Sequence, residues 1–329
     1  MPREMLALMG RMLRDGALRP RRLVGGLRNF VAAWRGAEPP RLPVAAVIDP
    51  SAVCQLHCPE CPMHCRKQPS GAGLMDSGRF RGLIEELTDN AMFIALYNVG
   101  EPFMNPDCTE MIDVLTACRI SSAVSTNGLC IADQESAERL VRSGLTVLIF
   151  SLSGSTQAVY EQYHRGGVLD DVLRAVRLVQ AARRAHARAT PYIKLRFLAG
   201  DRNRHDLPGM RNLAGSLDPD FVEFREMEPG RAPEATSPEA GEERGPSDRR
   251  GGRCLWPWLM TAVLWDGSVV PCCRNERDLP VFGNAFGEGG LAAVWHGAAY
   301  REFRRRMRAG RDGIECCRGC PGRIGYQQG

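Results

Sequence analysis

Three closely spaced cysteines stand near the start of the chain, where Cys54, Cys58 and Cys61 follow the pattern C-x3-C-x2-C. They come directly after a short apolar run, Val44 to Ile48. Three neighbouring thiolates can bind three corners of a cubane iron–sulfur cluster and leave the fourth iron without a protein ligand. Because an iron of this kind can bind a substrate or a cofactor, the pattern predicts a catalytic metal centre.

Two other kinds of metal site use similar cysteine patterns. Zinc is commonly held by four cysteine or histidine ligands, and ferredoxin-type clusters use a fourth cysteine nearby. Cys65 is close enough in the sequence to be that fourth ligand. A zinc-stabilised binding module without catalytic activity is therefore the alternative from a different functional class.

A second group of cysteines lies near the C-terminus, at Cys254, Cys272, Cys273, Cys316, Cys317 and Cys320. Asp266-Gly267 stands between two apolar runs, which is typical of a β-hairpin turn. We expect Cys254 and Cys272 to lie on either side of that hairpin. Cys317 and Cys320 form a C-x2-C pair, a spacing that zinc sites also use.

Composition limits the classes of protein that fit. The 329 residues suffice for two domains, or for one large domain with an appendage. Ten of the 13 cysteines fall in two metal-type groups and no apolar signal segment precedes them, so we expect a reducing, cytoplasmic location. No apolar run approaches the roughly 20 residues that span a bilayer. The net charge of +5 comes largely from scattered arginines, with no aromatic residues interleaved among them in a repeating way, and this does not indicate nucleic-acid binding.

Residues 1–43 carry nine arginines and three acidic residues, with apolar residues at approximately helical spacing. We predict a helical cap over the catalytic domain, with a basic amphipathic element on an anionic membrane as the alternative. Residues 228–253 are rich in proline, glycine and charge, and we interpret them as a flexible linker. The expected domains are therefore 44–227 and 254–329.

Between residues 44 and 227, short apolar runs alternate with amphipathic stretches, a pattern typical of β/α units around a parallel sheet. Six units are predicted. The predicted strands are Val44–Ile48, Met92–Tyr97, Ser121–Ser125, Thr146–Ser151, Tyr192–Phe197 and Phe221–Phe224. The predicted helices are Ser77–Leu87, Thr109–Cys118, Ala132–Ser143, Leu169–Ala187 and His205–Leu217.

The first cysteine loop resembles the cluster loop of the radical S-adenosylmethionine (SAM) superfamily. Gln55 stands where asparagine is frequent in that family and Glu60 where an aromatic residue is frequent, but neither change removes a ligand. The resemblance implies a partial (β/α)6 barrel and a [4Fe-4S] cluster held by the three cysteines. It also implies that the free iron binds SAM, and that reductive cleavage of SAM yields a 5′-deoxyadenosyl radical.

The same resemblance extends to the ends of the predicted strands. Asn98-Val99-Gly100-Glu101-Pro102 resembles the family's Gly-Gly-Glu-Pro segment, and Ser153 stands where the family often has aspartate. By resemblance, the candidate SAM contacts are Gly100, Glu101, Ser125, Asn127, Ser151 and Arg165. Arg165 would pair with the SAM carboxylate, although a surface arginine at a helix end would look the same.

The C-terminal segment resembles the auxiliary-cluster extension called SPASM, or its shorter "twitch" form, at Trp256-Pro257-Trp258, Trp265-Asp266-Gly267 and Pro271-Cys272-Cys273. The resemblance implies one auxiliary [4Fe-4S] cluster. We assign its ligands as Cys254, Cys272, Cys317 and Cys320. Cys273 and Cys316 are the alternates, because adjacent cysteines cannot be ranked from sequence.

From this resemblance we expect an enzyme that takes hydrogen from a small-molecule substrate such as a sugar, an aminocyclitol or a nucleoside. Four cysteines would leave the auxiliary cluster without an open iron, which favours electron acceptance and a net oxidation. Glu223 and Arg225 are the candidate catalytic residues, and flavodoxin or ferredoxin is the expected electron donor. The alternatives are a peptide-modifying maturase and a redox-neutral epimerase or decarboxylase.

Overall fold

Strands with alternating inward and outward side chains form one continuous sheet in this computed structural model. The structure describes residues 3–59, 61, 63, 71–226, 254–274, 278–318 and 320. In chain order the strands are β1 Ala45–Ile48, β2 Phe93–Ala95, β3 Ser121–Thr126, β4 Val147–Leu152, β5 Tyr192–Ala199, β6 Phe221–Glu226, β7 Met260–Val263, β8 Ser268–Val270 and β9 Gly283–Asn284. Their order in space is β6-β5-β4-β3-β2-β1-β7-β8-β9.

Helices connect the strands as the amphipathic spacing predicts. They are α1 Arg3–Arg14, α2 Pro20–Arg35, α3 Ser77–Leu87, α4 Cys108–Ala117, α5 Gln134–Arg142, α6 Gln157–Tyr163, α7 Leu169–Ala185, α8 Leu207–Leu217, α9 Trp256–Leu259, α10 Gly290–Trp295 and α11 Ala298–Ala309. The short helix α6 was not predicted. No helix in the described ranges is long and apolar enough to cross a membrane.

The pairing of β1 to β6 is parallel throughout, which confirms the predicted six β/α units in an open sheet rather than a closed barrel. Successive side chains of a strand point to opposite faces. On the helix-covered face, Ile193, Leu195 and Phe197 join the main hydrophobic core. The opposite, inner face carries a smaller apolar cluster that includes Ala123 and Ile149.

The N-terminal segment forms two helices, as predicted, and the first of them packs on the inner face. Leu8 of α1 contacts the inner-face cluster, and Glu4 forms an ion pair of 2.8 Å with Lys194 of β5. A helical cap over this end of the sheet is therefore present. The second helix packs against the outside of the fold with its large apolar residues exposed.

The C-terminal segment extends the sheet instead of forming a separate layer. Strand β7 pairs in parallel with β1, and β8 then returns antiparallel to β7, which confirms the predicted hairpin. Glu86 of α3 accepts hydrogen bonds from two backbone N–H groups at the start of α10, and Trp295 Nε1 donates to Arg41 O at 2.9 Å. The two predicted domains thus share one sheet. The predicted linker, 228–253, lies outside the described residues.

Candidate active site

The first cysteine loop follows β1 and is held by backbone contacts from its neighbours. Gly100 has a φ of +69°, and a Cβ atom on it would lie 2.3 Å from Ser51 O, so only glycine lets the two segments approach this closely. Glu101 N donates to Val53 O at 2.8 Å, and His57 N donates to Arg165 O at 3.1 Å. The segments that contain Glu101 and Arg165, both predicted to bind SAM, therefore contact the cysteine loop.

Glu101 is buried at the end of the loop after β2 and has protein partners on both carboxylate oxygens. Its Oε1 accepts from Thr126 Oγ1 at 2.7 Å and from Phe103 N at 3.2 Å, and its Oε2 accepts from Asn127 N at 2.7 Å. Burial raises the pKa of Glu101 to about 7 against the opposing effect of these donors. The carboxylate ties the loop after β2 to the end of β3. Its predicted contact with SAM stays a prediction.

Asn127 reaches from the end of β3 towards the first cysteine. Its Nδ2 lies 3.8 Å from Cys54 Sγ, and its Oδ1 accepts from Gln55 Nε2 at 3.3 Å. Leu56 N also donates to Cys54 Sγ at 3.4 Å. Donors of this kind favour the thiolate form that an iron ligand requires. Gln55 thus preserves a hydrogen-bonding role at the position where the family often has asparagine.

The cysteine thiols of this loop lie close enough together to influence one another. Burial raises the pKa of Cys54 to about 11 and that of Cys58 to about 12, and the neighbouring thiol of Cys61 adds to both. Binding to iron removes the thiol proton and reverses this preference, because a coordinating thiol is deprotonated. The donor set of three neighbouring thiols fits a cubane cluster at the carboxyl end of β1.

Several predicted site residues form one row on the inner face. Ser125 Oγ lies 3.4 Å from Ser151 Oγ, Ser151 is in register with Arg196, and Arg196 is in register with Glu223. The structure therefore places the candidate SAM contacts of β3 and β4 beside the candidate catalytic residue of β6. Arg165 is exposed, and its carbonyl holds His57.

Glu223 is the centre of a buried charge network. Its Oε2 lies 2.8 Å from Arg196 Nε and 3.2 Å from Lys194 Nζ, and its Oε1 lies 3.2 Å from an Arg225 nitrogen. Burial alone would raise the pKa of Glu223, but the three cations together outweigh it and hold that pKa below its usual range. A carboxylate held in this way is a weak base. For this candidate catalytic residue, the geometry favours a positioning role over proton acceptance.

A second polar cluster lies behind the cysteine loop at the end of β4. Ser153 Oγ lies 2.5 Å from His164 Nδ1, both residues are buried, and the His164 ring stacks on Tyr160 at 4.8 Å between centroids. Burial lowers the pKa of His164 to about 4, so its imidazole is neutral. Ser153, standing where the family often has aspartate, thus packs against a neutral histidine.

The C-terminal cysteines gather from three separate segments. Burial raises the pKa of Cys272, and the thiols of Cys254 and Cys320 are among the neighbours that add to this. Cys317 has a raised pKa owing to its hydrogen bond with Cys316, to burial, and to the thiols of Cys272 and Cys254. The four predicted ligands therefore lie near one another, and their thiols fit a second cluster.

The two alternate cysteines have apolar surroundings. Cys316 is buried with Phe303 and Ile314, and Cys273 packs on the cluster of Val47 and Val270. Cys317 packs on the same cluster as Cys316, and their sulfur atoms lie 3.9 Å apart, so the ligand set stays a prediction. Cys65 lies outside the described residues.

Sequence reasoning missed Lys194, Arg196 and His164. For the first two a pattern was available, since polar residues alternate with apolar ones in Tyr192-Ile-Lys-Leu-Arg-Phe197. Such alternation predicts a strand with one polar face. His164 offers no comparable pattern, because only the fold places it beside Ser153.

Comparisons with known proteins agree with this geometry. Residues 48–191 match the family model described as "Radical SAM superfamily", and residues 254–321 match the SPASM model, described as "Iron-sulfur cluster-binding domain". The mycofactocin maturase MftC of Mycobacterium tuberculosis (strain ATCC 25618 / H37Rv) is 24% identical over 312 residues, covering 84% of this chain and 78% of its own length. The PqqA peptide cyclase of Gluconobacter oxydans is 27% identical over 187 residues, covering 56% of this chain and 49% of its own.

Solved structures show the same fold at low sequence identity. BtrN in complex with AdoMet and 2-DOIA has a TM-score of 0.52 and 18% identity, and the match covers 85% of this chain and 93% of BtrN. Streptococcus suis SuiB bound to the precursor peptide SuiA has a TM-score of 0.61 and 13% identity, with 84% and 70% covered. The chain therefore belongs to the radical SAM superfamily, as an enzyme that uses [4Fe-4S] clusters and SAM and carries a C-terminal SPASM domain.

Proposed function

We propose that this enzyme modifies a peptide substrate by removing a hydrogen atom from one of its residues. The observation that carries the proposal is the similarity, over 84% of the chain, to a curated maturase, together with the partial similarity to a peptide cyclase. The sequence alone favours a small-molecule substrate, with a peptide-modifying maturase as an alternative. We adopt that alternative.

The open sheet suits a long substrate. Within the described part of the chain, β6 pairs only with β5, so the inner face opens sideways at that strand. Arg225 lies at this side, and it is the exposed member of the charge network, with 36% of its side chain accessible, so it can donate to a peptide backbone or to polar side chains. A closed barrel would admit only a compact molecule.

The cofactors, when bound, supply a carbon radical that removes hydrogen from an unactivated carbon, chemistry that side chains cannot perform. Cys54, Cys58 and Cys61 would hold the first cluster. Glu101 fixes the loop after β2, and Asn127 positions the Cys54 sulfur. The inner-face charge network would orient the peptide relative to the end of β1.

The C-terminal cluster would accept the electron that remains after hydrogen removal. Cys254, Cys272, Cys317 and Cys320 would occupy all four irons and leave no open position, so outer-sphere electron transfer is its most direct use. An external donor such as flavodoxin or ferredoxin would reduce the first cluster. The grouping of ten of the 13 cysteines in two metal-type sets favours the reducing cytoplasm as the site of action.

Oxidation of a small molecule is the second candidate. The observation in its favour is the compact charge network of Lys194, Arg196, Glu223 and Arg225, from which the partly exposed Arg225 could donate to a hydroxyl group of a sugar or an aminocyclitol. A redox-neutral reaction on either substrate would leave the second cluster without an acceptor role.

The test uses the reconstituted enzyme with SAM, a reductant and synthetic peptides encoded by short reading frames beside the gene. We expect a peptide that raises the yield of 5′-deoxyadenosine and itself changes mass by the loss of hydrogen. Arg225→Gln should weaken the peptide's apparent affinity, with the exposed Arg174→Gln as the matched control. Stimulation by sugars or aminocyclitols, with none by any peptide, would move the assignment to the second candidate.

A further inference from the structure

Helix α2 packs on the protein through a face of polar and small residues, and its large apolar residues face solvent. Its buried residues are Arg22, Gly25, Asn29, Ala32 and Ala33. Its large apolar residues are exposed by 36 to 70% of their surface, and they are Leu23, Val24, Leu27, Phe30, Val31 and Trp34. A helix on a globular protein normally has the opposite arrangement.

Specific hydrogen bonds fix this orientation. The Arg22 guanidinium, only 1% exposed, donates to the carbonyl oxygens of Thr88, Cys118 and Arg119 at 2.6 to 3.0 Å. Asn29 exchanges hydrogen bonds with the Arg41 backbone at 3.1 Å. Rotating the helix to bury its apolar residues would break these bonds and leave a charged group without partners, which is costly.

Exposed apolar residues also occur on α1, and positive charge accompanies the apolar face of α2. Leu6 and Leu13 of α1 are 55% and 62% exposed. Residues 1–43 carry nine arginines and three acidic residues, and Arg14, Arg28 and Arg35 are exposed. At the C-terminal end of α2, Arg308 of the arginine-rich helix α11 bonds to Glu38 at 2.9 Å. The occupant of this surface must therefore be apolar and negatively charged.

We propose that the outer face of α2 binds the surface of an anionic lipid bilayer. Exposed leucine, phenylalanine and tryptophan side chains enter the boundary between headgroups and acyl chains, and the arginines contact the lipid phosphates. No spanning helix is needed for such binding. The proposal concerns a peripheral attachment, and is independent of the substrate proposed above.

Sedimentation of the reconstituted holoenzyme with lipid vesicles, in the absence of SAM and substrate, tests this proposal. We expect binding to vesicles that contain phosphatidylglycerol, and much weaker binding to pure phosphatidylcholine. The triple variant Leu27→Gln, Phe30→Gln, Trp34→Gln should bind at least about tenfold more weakly. Arg28→Gln should cost about fivefold and reduce the salt dependence.

The matched control is Val222→Gln with Val281→Gln, two exposed apolar residues outside α1 and α2, which should leave binding unchanged. Iron content and circular dichroism establish that each variant is folded. Equal binding by the wild type and the triple variant, or no binding to anionic vesicles, overturns the proposal. So does a wild-type dimer that the triple variant converts to a monomer, because a second copy would then be the occupant.

Discussion

The two cysteine sites are held in place by different kinds of contact. Around Cys54 the contacts are polar: Asn127 and Glu101 form hydrogen bonds that join three strand ends. Around Cys317 they are apolar, since Phe303, Ile314 and Cys316 form a buried cluster beside it. The difference suggests a site that must present an open iron to a cofactor, and another that needs only to be shielded from water.

The largest expected effect comes from removing the first ligand set. Replacing Cys54, Cys58 and Cys61 with alanine should abolish SAM cleavage while about half of the iron remains, because the second set lies in other segments. Iron and sulfide analysis with a 5′-deoxyadenosine assay measures both. Loss of all iron would show that the two sites do not assemble independently.

Removing the second set should separate cleavage from product formation. In the variant Cys317→Ala, Cys320→Ala we expect measurable SAM cleavage but a severalfold lower ratio of oxidised product to 5′-deoxyadenosine, because the electron acceptor is lost. The ratio is counted under single-turnover conditions with the first cluster verified. An unchanged ratio would instead favour a redox-neutral reaction.

The polar character of the first site predicts a sensitivity to small polar changes. Glu101→Gln places an amide nitrogen among three donors, and should lower the free energy of unfolding by about 1 to 3 kcal/mol. Glu110→Gln, at an exposed ion pair with Arg81, is the control and should change it by less than about 1 kcal/mol. Denaturant unfolding gives both values. Equal effects would show that the buried hydrogen bonds of Glu101 contribute no more to stability than a surface ion pair.

The smallest expected effect is a pH dependence of stability. The pKa of His164 is about 4 in the folded protein, below its value near 6.5 when unfolded, so protonation favours the unfolded chain. The His164 contribution to stability should fall by about 1 kcal/mol between pH 7 and pH 5.5, whereas Glu101, whose pKa burial raises to about 7, contributes in the opposite direction. His164→Asn, which can keep a hydrogen bond to Ser153, should remove that part of the slope. His205→Asn, at an exposed histidine, should retain it.

The sequence predicted what short-range patterns encode. The helix Ser77–Leu87 was placed with both ends correct, and all six strands of the β/α units were found within a few residues. The pairing of β7 with β1 was not predicted, because residues 48 and 263 are brought together only by the folded chain. The orientation of α2 was not predicted either. The helical period does not show that Arg22 finds buried carbonyl partners such as Arg119 O, which hold its side of the helix against the protein.

At the candidate site, ligand spacing identified the cysteines, but the partners of Glu101 and His164 depend on which strand ends meet. Local sequence patterns do not show which strand ends lie next to one another in the folded protein. The contact of Glu101 with SAM stays a prediction from the sequence. Its three hydrogen bonds, which support the loop after β2, are seen only in the folded structure.

The position of β1 between β2 and β7 has a consequence for biosynthesis. The strand that leads into the first cysteine loop acquires its second neighbour only after Met260–Val263 has been synthesised, more than 200 residues later. Until then one backbone edge of β1 has no strand from the C-terminal segment to pair with, and exposed strand edges promote misassembly. The C-terminal segment therefore completes the sheet beneath the first cluster, so truncating it would impair maturation of a site whose ligands are all present.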